Sequence, residues 1–455
     1  MFSIASGSIE WPILTVLLTG CATTGRATYA APRLEGTDAA GLDERPAAAD
    51  DRLLNGPVLE RAKYVRAVLQ RNRSVEEARQ SWRAAIARAR QSGAFEDPMV
   101  TLEIAPLSIG SSSARIGYTA MISQRVPWPG KLALEESAAQ AEGDAAKNDF
   151  EAARRELALT ASLLYDQYFV AARSLEVNAH HVALMRSMQA AATAQFETGR
   201  GSAQDPLQAE FELTHMEHDA VILASQRDVT VAQMNELLHR DPDLPLPPPA
   251  NDLALLPVPD GGNGRRLEGE AAERRPDITS AKDHARAEQA RAERAQREYL
   301  PDVTLSTSYN SMWDMPEHRW MVGLSFNIPI QRSRRGGSVD EANAMRSQYE
   351  AEAARLSDMA RTQVAVALKQ LDESAHVLHL HAQRLLPVAR DEVSAARSAF
   401  TASQAPFSAV VDAEKNLRSV ELDEQVARAD YDRRRAELDR ALGRIPGLDG
   451  EEVLP

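Results

Sequence analysis

The chain of 455 residues carries 52 Lys and Arg against 66 Asp and Glu, which gives a formal net charge of −14 at pH 7. This acidic balance, without a dense basic block, argues against nucleic acid as a partner. No apolar run reaches the roughly 18 residues that a membrane helix needs, so any membrane crossing is expected to use strands. The single cysteine, Cys21, excludes an internal disulfide.

The start of the chain predicts export and lipid attachment. A short apolar segment ends in the tetrapeptide Leu-Thr-Gly-Cys at Cys21, although no Lys or Arg precedes it. The tetrapeptide resembles the lipobox of bacterial lipoproteins, in which the signal peptide is cut before the cysteine and the thiol receives a lipid such as palmitate. Residues 1–20 are therefore predicted to be the signal peptide, and residues 21–56 a lipid-anchored tether. Ala22, where an Asp would indicate the inner membrane, indicates the outer membrane. An incidental or buried thiol is the alternative.

Residues 98–127 and 301–330 are each predicted to form a β-hairpin in a chain otherwise rich in helix-forming residues. From Trp320 onward apolar and polar residues alternate, which is the two-residue period of a strand. A hairpin is not stable alone, and arms of about 9 to 11 residues suit a tilted strand that crosses a bilayer. The positions predicted to lie on membrane strands are Tyr118, Ile122, Trp320, Leu324 and Phe326.

The two halves of the chain repeat each other at a distance of about two hundred residues. Pro98 corresponds to Pro301, and the segment Phe196–Glu210 corresponds to Phe400–Glu414. We therefore predict a duplicated unit. Its boundaries are 57–239 for the first repeat with a tip at 196–206, 240–267 for a Pro-rich and Gly-rich crossover, 268–443 for the second repeat with a tip at 400–410, and 444–455 for a tail.

The repeats are predicted to be mostly long helices whose narrow apolar stripes indicate coiled coils. Lys131–Thr198 contains no proline and would extend roughly 100 Å as one helix. Its counterpart, Ser333–Thr401, is interrupted only by Pro387. The shorter helical stretches are Pro57–Ala94, Asp205–His239, Glu268–Glu298 and Phe407–Leu442, of which the third is expected to break at Pro276.

The duplicated order of helix, hairpin and helix, together with three motifs, resembles the TolC family of outer-membrane factors. The motifs are SQRVPWPGKL at Ser123–Leu132, RRPDI at Arg274–Ile278 and YLPDVTLSTSY at Tyr299–Tyr309. The resemblance implies a mainly α-helical fold with a β-barrel contribution. Each protomer of a homotrimer would give two β-hairpins to a shared outer-membrane barrel and long coiled-coil helices to a periplasmic tunnel. It also implies a passive efflux duct that works with a periplasmic adaptor (membrane fusion protein) and an inner-membrane pump of the resistance-nodulation-division type.

Physical reasoning agrees with that assembly, because a four-stranded sheet with free edges is not viable in lipid, whereas several copies can close a barrel. The apolar strand faces would contact lipid and the polar faces would line water. The candidates for interfacial aromatic girdles are Tyr118, Trp128, Tyr309, Trp313 and Trp320, for which ordinary packing is the alternative.

The repeat ends resemble the periplasmic helix tips at which the family's adaptor docks. The docking candidates are Phe196, Gly199, Gly201, Phe400 and Ser403. Asp205 and Asp412 match acidic positions that close or narrow the tunnel in the family, and threefold symmetry would bring such carboxylates together. The second tip departs from the pattern, because Phe400 stands where a Tyr is common and Ala405 where an Arg is found. The usual partners of Asp205 are therefore missing. A solvated Asp on a helix is the alternative for Asp412.

Other functional classes are less well supported. Histidine clusters occur at 180–181, 215–218 and 376–381, but no acidic or thiol partner has zinc-motif spacing, so neither a metal site nor a cofactor is predicted. The sequence also lacks a phosphate loop, a nucleophile elbow and a catalytic carboxylate pair, so an enzyme is not expected. A periplasmic coiled-coil adaptor, a structural protein and a type I protein secretion duct stay as alternatives. SQRVPWPGK resembles the corresponding segment of family members that export heavy-metal cations, and this resemblance implies metal cations as cargo, with small molecules as the alternative.

Overall fold

The computed structural model describes residues 54, 56–110, 112, 115–253, 264–402 and 404–448. The architecture below belongs to residues 52–455, one of the two units into which the chain divides. The predicted signal peptide, Cys21 and nearly all of the predicted tether lie outside the described residues, as does Ser403 of the second predicted tip.

Nine α-helices and four strands form the described part of this unit. In the first half, the helices are α1 (Arg61–Arg71), α2 (Arg73–Ser92), α3 (Lys131–Glu197) and α4 (Gln204–Leu237). In the second half, they are α5 (Gly264–Arg274), α6 (Pro276–Arg297), α7 (Arg332–Leu380), α8 (Leu386–Thr401) and α9 (Phe407–Ala441). The prediction of one uninterrupted helix from Lys131 is confirmed, because α3 contains 67 residues. The predicted break at Pro276 is also confirmed.

The prediction of one helix over Pro57–Ala94 is wrong. The segment forms α1 and α2, which are separated at Asn72, a residue with extended backbone (φ −70°, ψ 126°). The side-chain oxygen of Asn72 accepts a hydrogen bond of 2.9 Å from the backbone N–H of Ser74 and so caps α2. Asn72 also donates to the carbonyl oxygen of Leu237 at 3.1 Å. The break therefore attaches this segment to the end of α4.

The prediction that Ser333–Thr401 is interrupted only by Pro387 needs a refinement. Between α7 and α8, residues His381–Leu385 form a turn of π-helix. Pro387 has no backbone N–H and its ring would clash with the carbonyl group of Gln383, four residues earlier. A π-helical turn places an extra residue at this point and removes the clash without ending the helical direction.

The four strands form one antiparallel sheet in the order β1 (Met99–Ile104), β2 (Tyr118–Val126), β3 (Val303–Asn310) and β4 (Trp320–Phe326). Both predicted hairpins are present, and the pairing of β2 with β3 joins the two halves of the chain. The last strand ends at Phe326, before the apolar residues Ile328 and Ile330 that were predicted to continue it. Pro329 between them cannot donate to a strand ladder.

Strand register aligns the alternating pattern across the whole sheet. Val100 pairs with Ile122, Ile122 with Thr307, and Thr307 with Val322. Because facing residues of paired strands share a side, one face is mostly apolar across all four strands, with Gln124 and Thr307 as its polar members. The opposite face carries Thr101, Glu103, Ser123, Ser306, Ser308 and Ser325, together with Met99, Met121 and Met321. The two-residue period predicted from the sequence therefore gives one apolar and one mostly polar surface.

Helix α3 is the axis of the helical part, since α1, α2, α4, α6 and α9 all pack against it. The largest buried cluster lies at its middle, where Tyr165 and Phe169 contact Tyr64 of α1 and Met234 of α4. A second cluster joins α5, α7 and α9 around Leu371 and Leu438. A third, with Met185, Met216 and Phe407, lies toward the repeat ends.

The described part of the crossover, residues 240–253, packs on the middle of α3, whose side chains donate hydrogen bonds to backbone carbonyl groups of the crossover. Tyr168 donates to Pro247 at 2.9 Å, and Arg173 donates to Ala250 at 3.0 Å. Leu59 forms an isolated parallel bridge with Pro249. None of the helices in the described ranges is long and apolar enough to span a membrane.

Candidate functional site

The apolar face of the sheet is exposed to a degree that a buried core would not show. The predicted membrane-strand residues have exposed fractions of 39% for Tyr118, 45% for Ile122, 61% for Trp320, 55% for Leu324 and 56% for Phe326. On β1, Val100 is 74% exposed. A contiguous apolar surface of this kind marks an interaction with another protein or with a membrane.

Aromatic rings form a row across three strands at one end of the sheet. Tyr118 and Tyr309 have ring centroids 5.8 Å apart, and Tyr309 and Trp320 have centroids 5.3 Å apart. Trp313 lies in the loop between β3 and β4, where its ring contacts His318 edge-on. Trp128 follows β2 at the opposite end of the strands. Three of the five predicted girdle residues are therefore in one contiguous row.

The junction between the sheet and the helices brings two of the sequence motifs together. Asp302 of YLPDV accepts hydrogen bonds from Lys131 Nζ at 2.8 Å and from the backbone N–H of Trp128 at 3.0 Å, both within SQRVPWPGKL. Arg125 donates to the other carboxylate oxygen of Asp302 at 2.9 Å. Lys131 also donates to the carbonyl oxygen of Leu300 at 3.1 Å. This group of residues, the Asp302 junction, fixes the start of α3 against the start of β3.

Burial and charge partners act in opposite directions on Asp302. Burial alone would raise the pKa of its carboxyl group, but the hydrogen bonds from Lys131, Trp128 and Arg125 outweigh burial and lower the pKa to about 2. Gly130 precedes α3 with φ +84°, in the left-handed region that glycine adopts at little cost. A Cβ atom there would lie 1.5 Å from Nη1 of Arg297.

The first repeat end is a tight turn that begins as predicted. The carbonyl oxygen of Gln195 accepts from the backbone N–H groups of Arg200 and Gly201, and Gly199 has φ +71°. Asp205 lies in the first turn of α4, where its carboxylate accepts from the backbone N–H of Ser202 at 3.1 Å. This is a capping interaction. Within the protomer, Asp205 therefore stabilises its own turn.

The second repeat end is closed by an aromatic pair. Phe400, at the end of α8, contacts Phe407, at the start of α9, with ring centroids 5.5 Å apart. Phe407 is buried, whereas Phe196 at the first end is 46% exposed. Asp412 lies exposed on α9.

A layer of polar side chains, which the sequence did not reveal, connects the α3–α4 hairpin to α9. Arg418 of α9 donates to Asp219 of α4 at 2.5 Å and to Asn178 of α3 at 3.3 Å. Lys415 forms an ion pair of 2.5 Å with Glu212. The remaining members are His181, Glu414 and Glu421, with Arg390 and Arg397 behind them. Along α4 and α9, the layer begins about 10 Å from the repeat ends.

The comparisons with known proteins agree with this geometry. A family model described as outer membrane efflux protein matches residues 267–444. The fold is similar to the crystal structure of CusC, with a TM-score of 0.72 and 18% identity over 84% of this chain and 92% of that one. The predicted resemblance to the TolC family of outer-membrane factors is confirmed.

Two further solved structures share this outer-membrane factor fold. VceC of Vibrio cholerae has a TM-score of 0.68 and 17% identity over 84% of this chain and 96% of that one. CmeC of Campylobacter jejuni has a TM-score of 0.68 and 16% identity over 86% of this chain and 87% of that one. No curated protein matches the chain. The similarity to these solved structures confirms the predicted mainly helical fold with a contribution from strands.

Three of the histidines noted in the sequence, His181, His215 and His218, each lie close to a carboxylate. His181 is buried and lies 2.9 Å from Glu421, whereas His215 and His218 are exposed and each lies 3.6 Å from Asp219. Within the described ranges, no group of three or more potential ligands could hold a metal ion. A buried histidine on a coiled-coil helix has no sequence signal of its own, because its partners come from a helix more than two hundred residues away.

Proposed function

We propose that the chain is the outer-membrane channel of a tripartite efflux system, a passive duct assembled from three copies. The observation that carries the proposal is the sheet, whose apolar face is exposed on all four strands while its other face is mostly polar. Such a surface suits lipid on one side and water on the other. The family match over residues 267–444 supports the same function.

The free edges of the sheet support assembly from several copies. In the described part of the chain, β1 pairs only with β2, and β4 pairs only with β3. An unpaired edge is not viable in lipid, because its backbone N–H and C=O groups would have no partner. Joining β4 of one copy to β1 of the next removes every edge when three copies close into a ring.

The finer assignments extend this proposal to partners, cargo and location. The cargo is small molecules or metal cations, and an inner-membrane pump of the resistance-nodulation-division type supplies the energy. A periplasmic adaptor docks at the repeat ends, around Phe196, Gly199, Gly201, Phe400 and Ser403. The carboxylates of Asp205 and Asp412 line the closed tunnel. Acylation of Cys21 anchors the chain to the outer membrane.

Conductance in a planar lipid bilayer, with the mass of the detergent-purified protein measured alongside, tests the proposal. We expect cation-selective steps from a species with the mass of three chains. A correctly folded monomer or dimer without conductance would overturn the duct and favour a soluble coiled-coil adaptor.

A matched pair of substitutions tests the orientation of the sheet. Leu324 and Ser325 are neighbours on β4 and both are exposed in the protomer, but they point to opposite faces. Leu324→Arg should cost about 2–4 kcal/mol near the middle of the bilayer, because an arginine would replace a lipid-facing side chain. Ser325→Arg should insert normally and change ion selectivity. Equal insertion of the two variants into outer-membrane vesicles would contradict the proposed lipid-facing side.

A further inference from the structure

The two open edges of the sheet are related to a contact that the chain already contains. Within the chain, β2 of the first repeat pairs with β3 of the second repeat. In a ring of copies, the open edges would pair β4, the counterpart of β2 in the second repeat, with β1 of the next copy, the counterpart of β3 in the first repeat. Because the two edges are different surfaces, this contact is head-to-tail, the kind that closes into a ring. The β2–β3 contact is therefore a template for the contact between copies.

The repeat gives a counterpart for each residue of the template. Pro127 and Pro329 follow β2 and β4, and Val303 and Val100 lie near the start of β3 and β1. Counting back from the prolines relates β2 to β4, and counting on from the valines relates β3 to β1. Three template pairs have counterparts that lie within β4 and β1, namely Ile122↔Thr307, Ser123↔Ser306 and Gln124↔Leu305. Those counterparts are Leu324 with Ile104, Ser325 with Glu103, and Phe326 with Leu102.

This register keeps each face of the sheet continuous from one copy to the next. The apolar residues that it brings together are each more than half exposed in the protomer, and they are Leu102, Ile104, Leu324 and Phe326. Ser325 and Glu103 lie between them on the mostly polar face. A shift by one residue would place apolar side chains opposite polar ones. A shift by two residues would preserve the faces, and the template distinguishes the proposed register from it.

The same register accounts for an apolar residue beyond the end of β4. This strand ends at Phe326, whereas β2 continues to Val126, whose counterpart is Ile328. Ile328 is 78% exposed, and the register places it opposite Val100 of the next copy, which is 74% exposed in the protomer. Pairing between copies would therefore extend β4 by two residues and complete the alternating pattern that the sequence shows up to Ile328.

The template is not copied in every detail. Met99 is the counterpart of Asp302, and Ser333 is the counterpart of Lys131. The contact between copies therefore lacks an equivalent of the ion pair at the Asp302 junction. Strand pairing and apolar side chains would carry the contact between copies at this end of the sheet.

We propose that β4 of each copy pairs with β1 of the next copy in the register of the template. In this register, Ser325 lies opposite Glu103, with Leu324 opposite Ile104 and Phe326 opposite Leu102 on either side. The proposal rests on the proposed channel function, because it specifies the contact by which copies of the channel join. The partner of both open edges is therefore a second copy of this chain.

Disulfide formation between copies tests the register. In the full-length protein, Glu103→Cys with Ser325→Cys should give cross-linked species of two and three chains on a non-reducing gel after oxidation with copper phenanthroline. Directly opposite residues have Cα atoms about 4.5–5.5 Å apart, which a disulfide can bridge. Thr101→Cys with Ser325→Cys uses the same face but lies two residues further along β1, so its yield should be about tenfold lower.

Two controls make the yields comparable. Ser123→Cys with Ser306→Cys is the equivalent pair of the template and should form a disulfide within one chain, which adds no second chain to the species on the gel. Ser325→Cys alone reports any cross-link to Cys21, the single cysteine of the sequence.

The outcomes separate the register from the channel. A mass of three chains in detergent, with a higher yield from the Thr101→Cys pair than from the Glu103→Cys pair, would overturn the register and leave the channel proposal in place. The same mass without a cross-link from either pair, while the template pair oxidises, would also overturn the register. A mass of one chain without a cross-link from either pair would overturn the channel and the register together.

Discussion

The Asp302 junction offers the most direct test of the reasoning about the site. We consider Asp302→Asn, which keeps the shape of the side chain and removes its charge. In the native protein, the carboxylate contacts Lys131 Nζ at 2.8 Å, and the two side chains are 7% and 4% exposed. The substitution would leave the buried ammonium group of Lys131 with a backbone carbonyl at 3.1 Å and Glu298 at 3.6 Å.

Two arguments give the size of the expected loss in the free energy of unfolding. Lowering the pKa of Asp302 from 3.8 to about 2 corresponds to about 2 kcal/mol of stability at neutral pH. Removing one partner of a buried ion pair costs about 3–5 kcal/mol, because the other charge stays buried. We therefore expect Asp302→Asn to lower the free energy of unfolding by about 3 kcal/mol. Since the folded pKa is depressed, this contribution is present above about pH 4 and is lost as the pH falls toward 2.

Denaturant unfolding in detergent, followed by tryptophan fluorescence at pH 7 and pH 3, measures both effects. Trp128 lies in the junction and reports on it directly. Asp314→Asn, an exposed carboxylate in the β3–β4 loop, is the control and should change stability by less than about 0.5 kcal/mol. The double variant Asp302→Asn with Lys131→Met should recover part of the loss, because the buried ammonium group of Lys131 is removed together with its partner. If Asp302→Asn matches the control at pH 7, the junction does not stabilise the fold.

Two further substitutions probe the turn before α3 and the crossover contact. Gly130→Ala should lower the free energy of unfolding by about 1–3 kcal/mol, because φ is +84° and the added Cβ would displace Arg297. Gly337→Ala, within α7 and with open space around it, is the control and should be neutral or stabilising. Similar effects of the two substitutions on the denaturation curve would contradict the argument. Tyr165→Phe should cost about 1–3 kcal/mol, because the carbonyl oxygen of Leu59 loses a hydrogen bond of 2.7 Å. Burial raises the pKa of Tyr165 to about 12, so the wild type and Tyr165→Phe should show the same number of tyrosines that ionise below pH 11 in an ultraviolet titration. One fewer such tyrosine in the variant would contradict this environment.

The local pattern predicted those parts of the fold that depend on neighbours in the chain. Alternation around Trp320 identified a strand with two chemically different faces, and the absence of proline after Lys131 identified a helix of 67 residues. Breaks were harder to predict. The Asn72 side chain caps α2, and this hydrogen bond favours a break over a continuous helix. The effect of Pro387 depended on whether a π-helical turn could remove the clash of its ring with the preceding turn.

Contacts between distant segments could not be predicted from one sequence. The motifs around Lys131 and Asp302 were both noticed, but nothing in their spacing showed that one carboxylate joins them. The same holds for His181, whose partners depend on the register between α3 and α9. Asp205 was predicted as a gate residue, and its capping contact depends only on Ser202 three residues earlier.

Helix α3 has a mechanical consequence that follows from its length alone. Its 67 residues span roughly 100 Å without a break, from the Asp302 junction at one end to the first repeat end at the other. As a stiff lever, it would convert a tilt of one degree at the sheet into a displacement of about 1.7 Å at its far end. A hydrogen bond is lost over about that distance. Small rotations where the strands meet the helices would therefore be amplified into the making or breaking of contacts at the opposite end of the molecule.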